Sequence, residues 1–534
     1  MAKSISANAQ GVALFVVLAF QLFCCGASVA GQDSLLTESV SAINKGSELS
    51  PFWYQKGVFM EIYVRGYKDS DGDGIGDFNG LTSTLDYLSE LGVKGIWLLP
   101  VMDSQDKDHG YAVKNYRQVE SDYGTEEDFK RFLFEAHKRG IGVILDYVLN
   151  HSGSAHPAFK ASKSPQSPYR DWYLWRDKYT YWPNWQNSPT WHQSGDEYYY
   201  GLFWKDMPDF NLRNAEVVSY HQSNLRYWLN LGVDGFRFDA VGTLLQNTNN
   251  GAFLQAESGA LMEQAIMPVI NEYDNRYVVC ESTQSPLATA DVCGSSFYFG
   301  LNSSILSSAK FGRVKPRLVR LAQESDSSKT ATFLANHDSF TGGRLYEQFA
   351  GDLASYKTAV TTLLTLPGIP FIYYGDEIGM GHTLAPSDPD PDHRLRGPMS
   401  WNADHNSAGF SSKKAFRGLA RNYSEFNVEV QMKERDSIFY HYKKLIELRN
   451  TNPALFMGSF RVLDHSNNKV LVFLRELENQ KVLVAINYSD RGQHLSNKIL
   501  GECWQVLDGP ERDKRGTSVL LQPKEHVIYR SCTS

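Results

Sequence analysis

The residues with the clearest chemical potential lie in the short stretch Gly235–Asp239. This stretch reads as a buried strand, and Asp239 stands where the strand is expected to give way to a loop. Because side chains alternate along a strand, Arg237 and Asp239 should point to the same side. A guanidinium beside a carboxylate lowers the pKa of the acid and keeps it ionised, as a carboxylate nucleophile requires. Taken alone, the stretch is equally consistent with a structural ion pair.

A second carboxylate, at another predicted strand end, gives Asp239 a partner. Glu281 follows the apolar run Val278–Cys280, so partial burial is expected to raise its pKa into the range of a general acid. Two such acids are the pair that a retaining glycosidase requires. One attacks the anomeric carbon, while the other protonates the leaving oxygen and then activates water.

Further polar residues close two other apolar runs. The third predicted strand ends in Asp146–His151 and the seventh in Asn336–Asp338. Asp338 would bind sugar hydroxyls and oppose the positive charge of the transition state. His151 and His337 would donate hydrogen bonds to hydroxyls while neutral. Each motif alone is weak evidence, because an acid at a strand end is more often part of a structural pair than a catalyst.

The elements that must bring these residues together alternate in a regular βα pattern. Amphipathic segments such as 81–92 and 126–140 separate strands and end in glycine. The eight predicted strands are 57–67, 92–101, 140–151, 232–241, 277–282, 295–301, 331–338 and 368–379. Eight such units predict a closed (β/α)8 TIM barrel of the α/β class, with catalytic groups at the carboxyl ends of the strands.

Two segments do not fit the barrel pattern. Residues 151–214 are too long for a loop and hold six of the eleven tryptophans. We therefore expect a small inserted domain after strand three, with most of these rings in its core and one or two facing the cleft. The short alternating runs in residues 453–534 predict a C-terminal all-β sandwich. The catalytic barrel is assigned to 51–150 and 215–452.

Together, and in this order along strands three, four, five and seven, these residues resemble the short motifs of glycoside hydrolase family 13, the α-amylase superfamily. The resemblance runs from Val58 to the end of the chain and includes Met207–Asn211 and Arg396–Trp401. It implies a retaining hydrolase of α-1,4-linked maltooligosaccharides or starch-derived glucans, near the α-glucosidase and intermediate α-amylase branch. The roles that it implies are Asp239 as nucleophile, Glu281 as acid/base, Asp338 as transition-state stabiliser, and Tyr111, His151, Arg237, His337 and Arg396 as sugar contacts.

The acidic loop Asp69–Asp77 predicts a different kind of site. Alternating aspartates and glycines can wrap oxygen ligands around a hard cation, although Gly80 stands where an EF-hand carries its bidentate Glu. The loop resembles the calcium loop of oligosaccharide-cleaving members of the family, and a solvated acidic turn is the alternative. The resemblance implies a structural Ca2+ with ligands Asp69, Asp71, Asp73, Asp77 and the Ile75 carbonyl. The family's other calcium site uses a His after the nucleophile, which residues 240–243 lack.

Composition limits the partners. The 534-residue chain has a net charge of -7, 42% hydrophobic and 21% charged residues, without the basic excess that nucleic-acid binding requires. We expect an uncharged α-glucan or maltooligosaccharide partner and a monomer. The apolar run 12–25 is too short to span a bilayer and precedes small residues ending at Ala30. This predicts a cleaved signal peptide at 1–30, secreted or periplasmic location and no stable membrane insertion. An uncleaved anchor is the alternative, since only Lys3 is basic ahead of the run.

The cysteines leave a choice open. Cleavage would leave four, and Cys503 and Cys532 flank the last β-patterned stretch. An oxidising compartment permits a disulfide between these two. The alternative is that Cys280, Cys293, Cys503 and Cys532 are all buried thiols.

One departure from the family pattern bears on substrate length. Where α-glucosidases of this family read Gly-Tyr-Asp-Val, this chain has Ala112 in place of the Asp. In those relatives the Asp binds the terminal glucose and pairs with the Arg that matches Arg396. A buried, unpaired Arg396 would cost about 3 to 5 kcal/mol, so we expect it to be solvated or paired with an acid such as Asp108. The pocket should then be more open at the non-reducing end.

Two other functions are consistent with the motifs. A transglycosylase such as a trehalose synthase or sucrose-cleaving relative would use the same residues with a sugar as acceptor. A non-catalytic relative, such as the heavy chain of an amino-acid transporter, would share the fold. The short apolar segment and the intact acids Asp239, Glu281 and Asp338 argue against the heavy chain.

Overall fold

The computed structural model describes residues 36–383, 390–463, 468–496, 503–510 and 518–532. The predicted signal peptide at 1–30 lies outside these residues. No helix in the described part of the chain is long and apolar enough to cross a membrane.

Eight parallel strands close into a barrel, which confirms the predicted fold class. They are β1 (Phe59–Ile62), β2 (Gly95–Leu98), β3 (Gly142–Tyr147), β4 (Gly235–Phe238), β5 (Tyr277–Cys280), β6 (Ser296–Phe297), β7 (Thr330–Thr332) and β8 (Ile369–Tyr373). Each pairs with the next in order, and β1 closes the ring by pairing with β8 through Phe59 and Phe371. The seventh strand is shorter than predicted, so the motif ending in Asp338 lies in the loop after it.

Large apolar side chains fill the barrel interior. They alternate along the strands, as the period of two requires. The buried interior cluster contains Trp53, Phe59, Trp97, Ile144, Tyr277, Val279, Phe297, Ala331, Phe333, Ile369 and Phe371. Because apolar side chains fill the interior, the polar residues that could act in catalysis lie beyond this cluster, at the carboxyl ends of the strands.

Helices surround the barrel with their apolar faces inward. Helix Glu126–Lys138 is typical: Thr125 and Asp128 form a capping box at its start, and Phe129 and Phe132 are buried. The α-helices are Phe78–Ser83, Leu85–Leu91, Glu126–Lys138, Pro157–Ser162, Ala215–Asn230, Gln255–Leu261, Met267–Ile270, Pro286–Cys293, Leu301–Lys310, Pro316–Glu324, Leu345–Gln348, Leu353–Thr365, Val428–Gln431, Ile438–Thr451 and Pro453–Met457. A π-helical turn, Met262–Ile266, joins two of them.

The chain between β3 and helix Ala215–Asn230 forms a small antiparallel sheet. Its strands are Trp175–Arg176, Trp191–Ser194 and Glu197–Tyr200, and a separate hairpin of Met102–Ser104 with Val113–Val119 follows β2. Three of the six tryptophans are buried and one is half-buried. Trp185 and Trp204 are 61% and 50% exposed.

The C-terminal part is all antiparallel, as predicted. A five-stranded sheet packs against a two-stranded one to form a common apolar core. Its strands are Ser459–Val462, Val470–Leu477, Gln480–Asn487, Gln493–Ser496, Trp504–Asp508, Ser518–Leu521 and His526–Ser531. A disulfide between Cys503 and Cys532 joins two of these strands. Of the two alternatives left open by the sequence, these cysteines are therefore paired and not free thiols.

Two buried arginines lie where this sheet domain meets the barrel. Arg475 of strand Val470–Leu477 donates to the carbonyl oxygens of Thr365 and Gly458, each at 2.9 Å. Arg449 donates to the carbonyls of Leu364, Leu366, Leu455 and Gly368. Neither guanidinium forms a salt bridge within the described residues. Carbonyl dipoles at helix ends therefore stabilise the positive charges of both guanidinium groups.

Candidate active site

Arg237 forms the centre of the site. Its guanidinium is buried and donates to three carboxylates at the carboxyl ends of β3, β4 and β5. The distances are 2.9 Å to Asp146, 2.7 Å to Asp239 and 2.6 Å to Glu281. Asp146 was quoted in its motif but given no role from the sequence. One positive charge therefore faces three acids, which favours a proton shared among them.

Backbone hydrogen bonds between neighbouring strands fix the two predicted catalytic acids. The Asp239 amide donates to the Tyr147 carbonyl, and the Glu281 amide donates to the Phe238 carbonyl. The Ala240 amide donates to Glu281 Oε2 at 3.1 Å. Ala240 has a φ of 48°, an uncommon conformation for a non-glycine residue. The turn after Asp239 thus aims an N–H group at the second acid.

Burial sets the pKa of both acids. It raises the pKa of Asp239 to about 6, and the opposing attraction of Arg237 is the smaller effect. The sequence-based expectation of a lowered pKa is therefore wrong, because it did not include the depth of burial. Burial also raises the pKa of Glu281 to about 6, again against Arg237. Since the two acids interact, they titrate as a pair, and the charge of Asp239 favours the protonated form of Glu281.

Arg396 pairs with two carboxylates. Its Nη2 lies 3.1 Å from Asp338 and 3.2 Å from Asp392, in the loop after β8. Arg396 is thus paired with acids, as expected, but Asp108, the example named from the sequence, is not one of them. Asp108 instead accepts from Arg417 at 3.0 Å and lies 2.7 Å from a ring nitrogen of His393. Burial raises the pKa of Asp338 to about 7, and Arg396 opposes this.

A buried hydrogen-bond chain holds the aromatic sugar contacts. Glu61 Oε1 lies 2.5 Å from His337 Nδ1, His337 Nε2 lies 2.7 Å from the Tyr111 hydroxyl, and that hydroxyl donates to Asp146 at 2.9 Å. Burial raises the pKa of Glu61 and lowers that of His337, so it favours the neutral form of both. All three bonds are satisfied when Glu61 donates to Nδ1 and Nε2–H donates to Tyr111.

The remaining histidine of the motifs lies at the border of the inserted domain. His151 pairs through its backbone with Asp209, the acid of the motif Met207–Asn211. Burial lowers the pKa of His151 to about 3, so it is neutral and keeps one ring N–H to donate. The ring lies 5.1 Å from that of Phe203, centroid to centroid. Sequence analysis did not select Glu61 or Phe203, although a Glu within an otherwise apolar strand was a signal for the first.

The acidic loop brings together three of its four predicted ligand carboxylates. Oxygen atoms of Asp69, Asp71 and Asp77 lie within 4.8 Å of one another. Asp73 is outside this group and accepts a hydrogen bond from the Ile75 amide at 2.7 Å. Three hard oxygen donors at this separation suit a divalent cation such as Ca2+.

A disulfide that sequence analysis did not predict borders the site. Cys280, the residue before Glu281, is bonded to Cys293 at the end of helix Pro286–Cys293. Both cysteines are buried. The bond closes a ring of chain that includes Glu281 and the helix after it.

Comparison with known proteins agrees with this geometry. Residues 61–458 match the family model for the α-amylase catalytic domain, and residues 460–508 match that for the C-terminal domain of maltogenic amylase. The chain is 34% identical to α-amylase 3 of Dictyoglomus thermophilum over 90% of this chain and 94% of that protein. It is 30% identical to the oligo-1,6-glucosidase of Heyndrickxia coagulans over 89% and 99%.

Two further likenesses show the range of the relatives. The trehalose synthase/amylase TreS of Mycolicibacterium smegmatis is 32% identical over 80% of this chain and 81% of that protein. The crystal structure of α-amylase from H. orenii superposes with a TM-score of 0.77 at 30% identity, covering 90% of this chain and all of that one. The chain therefore belongs to the α-amylase family of glycoside hydrolases, family 13, and is an enzyme of that family.

Proposed function

We propose that the enzyme hydrolyses α-1,4-glucosidic bonds of maltooligosaccharides or starch-derived glucans with retention of configuration. The observation that carries this proposal is the shared hold of Arg237 on Asp239 and Glu281, at 2.7 and 2.6 Å. Two terminal nitrogens of one guanidinium keep the carboxyl groups close together. An inverting enzyme needs about 6.5 to 9.5 Å between them to fit its water. The shared guanidinium therefore favours the shorter separation of about 5 to 5.5 Å that a retaining enzyme uses.

In the proposed double displacement, Asp239 attacks the anomeric carbon while Glu281 protonates the departing oxygen. The leaving sugar takes that proton, and the covalent glycosyl-enzyme forms on Asp239. Glu281, now ionised, removes a proton from the incoming water, whose oxygen attacks the same carbon and releases Asp239. Arg237 contacts both acids throughout, so the negative charge can move from one to the other without leaving its positive partner.

The other polar residues would bind the cleaved sugar. Asp338 accepts hydroxyl protons and opposes the oxocarbenium charge, and Arg396 fixes its carboxylate from the side at 3.1 Å. His151 donates to a sugar hydroxyl through the ring nitrogen that has no partner within the described residues. His337, whose ring nitrogens are bonded to Glu61 and Tyr111, holds Tyr111 in place and stacks on it with ring centroids 5.7 Å apart. Stacked aromatic faces favour contact with the apolar face of a sugar ring.

Reaction products test the proposal directly. Maltoheptaose should yield shorter maltooligosaccharides whose reducing ends first appear as the α-anomer in a proton NMR time course. The transglycosylase alternative is supported by relatives named trehalose synthase/amylase. It predicts new glycosidic linkages and little free reducing sugar. A folded protein that releases and transfers no sugar would refute both and favour a non-catalytic role.

The preferred length of the substrate would depend on Ala112, which stands where related α-glucosidases have Asp. The Ala112 side chain is buried, and Arg396 pairs with Asp338 and Asp392. Without a carboxylate at position 112, a single terminal glucose has one fewer partner. We expect kcat/KM to rise from maltose to longer maltooligosaccharides and Ala112→Asp to shift preference toward maltose. Ala112→Asn is the control for size without charge. An unaltered length profile in Ala112→Asp would show that another residue closes the pocket.

We also propose a structural Ca2+ in the acidic loop, held by Asp69, Asp71 and Asp77. Clustered carboxylates repel one another without a cation, and a bound ion would remove that repulsion. The disulfides Cys280–Cys293 and Cys503–Cys532 support the proposal that the enzyme matures in an oxidising compartment and is secreted or periplasmic.

A further inference from the structure

The inserted domain holds an exposed tryptophan that is connected to the active site through two rings. The Trp185 ring meets Phe203 edge to face with centroids 5.3 Å apart, and Phe203 meets His151 at 5.1 Å. Trp185 is 61% exposed, while Phe203 is half-buried and His151 is buried. Exposure thus increases stepwise from the cleaved-sugar position outward.

The turn that carries Trp185 is ordered by its own hydrogen bonds. The Asn184 side-chain oxygen accepts from the amides of Gln186 and Ser188, each at 3.0 Å. Its side-chain nitrogen donates to the Leu202 carbonyl, next to Phe203. The Tyr181 hydroxyl donates to the Asn187 side chain at 3.0 Å. Trp185 is therefore presented to solvent from a fixed loop, which lowers the ordering entropy that binding would cost.

A second exposed tryptophan in the same domain lacks this connection. Trp204 is 50% exposed and has no ring contact with another aromatic residue in the described part of the chain. The Lys205 ammonium lies 6.0 Å above its ring. Trp185 and Trp204 thus share type, domain and exposure, and differ in whether their rings are continuous with the active site.

We propose that Trp185, supported by Phe203, is a stacking platform for a glucosyl residue outside the cleaved subsite. A glucosyl unit is about as long as the centroid distance between two neighbouring rings of this set. Trp185 lies two such distances from His151 by way of Phe203, so it would contact a glucosyl unit one or two residues along the glucan from the cleaved one. The apolar face of that sugar would cover the exposed indole, which favours binding by removing apolar surface from water. This inference rests on the proposed function and adds that Trp185 favours longer chains.

Kinetics with three variants test the platform. Trp185→Ala should lower kcat/KM for maltoheptaose about tenfold and leave that for maltose within about twofold. Trp185→Phe should retain most of the maltoheptaose rate, because a flat ring remains. Trp204→Ala should leave both substrates unchanged. An equal loss on both substrates in Trp185→Ala, or the same loss in Trp204→Ala, would overturn the proposal.

Binding separates this proposal from the proposed function. In a Glu281→Gln background, calorimetry should show that Trp185→Ala weakens maltoheptaose but not maltose. This result would support the platform whatever reaction the wild type performs. If the wild type cleaves maltoheptaose but Trp185→Ala binds it with unchanged affinity, the platform is wrong and the proposed function stands. If the Glu281→Gln protein does not bind maltoheptaose, either with Trp185 or with Trp185→Ala, the platform is wrong as well.

Discussion

Replacing Asp146 by Asn should move the acidic limb of activity to lower pH. Asp146 is fully buried, so none of its atoms lies at the surface of the cleft. Its negative charge raises the pKa of Asp239. Both acids accept from the same nitrogen of Arg237, at 2.9 and 2.7 Å, so their oxygens cannot be further apart than those two bonds laid end to end. An uncharged Asn would leave Arg237 shared between two acids instead of three.

The expected shift follows from Coulomb's law. Two unit charges about 5 Å apart repel by about 3 kcal/mol at an effective dielectric constant of about 20. This equals about two pKa units. Burial also raises the pKa of Asp146 itself to about 6, opposed by Arg237, so it is only partly charged where Asp239 titrates. We therefore expect a fall of about one unit in the acidic limb. The sign is fixed: loss of a like charge makes Asp239 ionise at lower pH.

The assay is kcat/KM for maltoheptaose from about pH 4 to about pH 8, which reports ionisations of the free enzyme. Asp234→Asn is the matched control. Asp234 is an equally buried acid at the opposite end of β4, where it accepts from the Val143 amide at 2.8 Å. That variant should lose stability and keep the wild-type limb. An acidic limb that stays in place or moves upward in folded Asp146→Asn would refute the electrostatic reasoning.

Three other predictions concern the acids, the cation and the disulfide. Asp239→Asn and Glu281→Gln should each retain less than about a hundredth of the wild-type turnover with unchanged circular dichroism, since covalent and acid catalysis are lost; a more active, folded Asp239→Asn would exclude it as nucleophile. Excess chelator should lower the melting temperature more than the initial rate, because loop Asp69–Asp77 follows β1 and need not touch substrate; no change in melting, with no metal found by elemental analysis, would contradict a bound ion. Cys280→Ala/Cys293→Ala should lose about 3 kcal/mol of stability in denaturant unfolding from the freed loop, and an unaltered midpoint would argue against that contribution.

The sequence was sufficient for the barrel because its signals are local. Each strand is an apolar run next to a glycine or a polar end, and the acids Asp239 and Glu281 follow such runs directly. The pairing of Arg396 with Asp392 could not be predicted in this way, because Asp392 comes from a long loop whose path depends on tertiary contacts. The same holds for Cys280–Cys293. The pKa of Asp239 was misjudged because burial depth is a property of the packed site, not of neighbouring residues along the strand.

The two arginines between barrel and C-terminal sheet have a consequence for how the protein can be divided. Burial lowers the pKa of Arg449 to about 9, so it stays charged at neutral pH. Removing the sheet would take away Arg475, which donates to the Thr365 and Gly458 carbonyls, and leave the end of helix Leu353–Thr365 with Arg449 as its one remaining guanidinium partner among the described residues. The cut would run through a network of charge and carbonyl dipoles, not through a linker. The sheet is therefore part of what the barrel needs in order to fold, and the two should unfold in one transition.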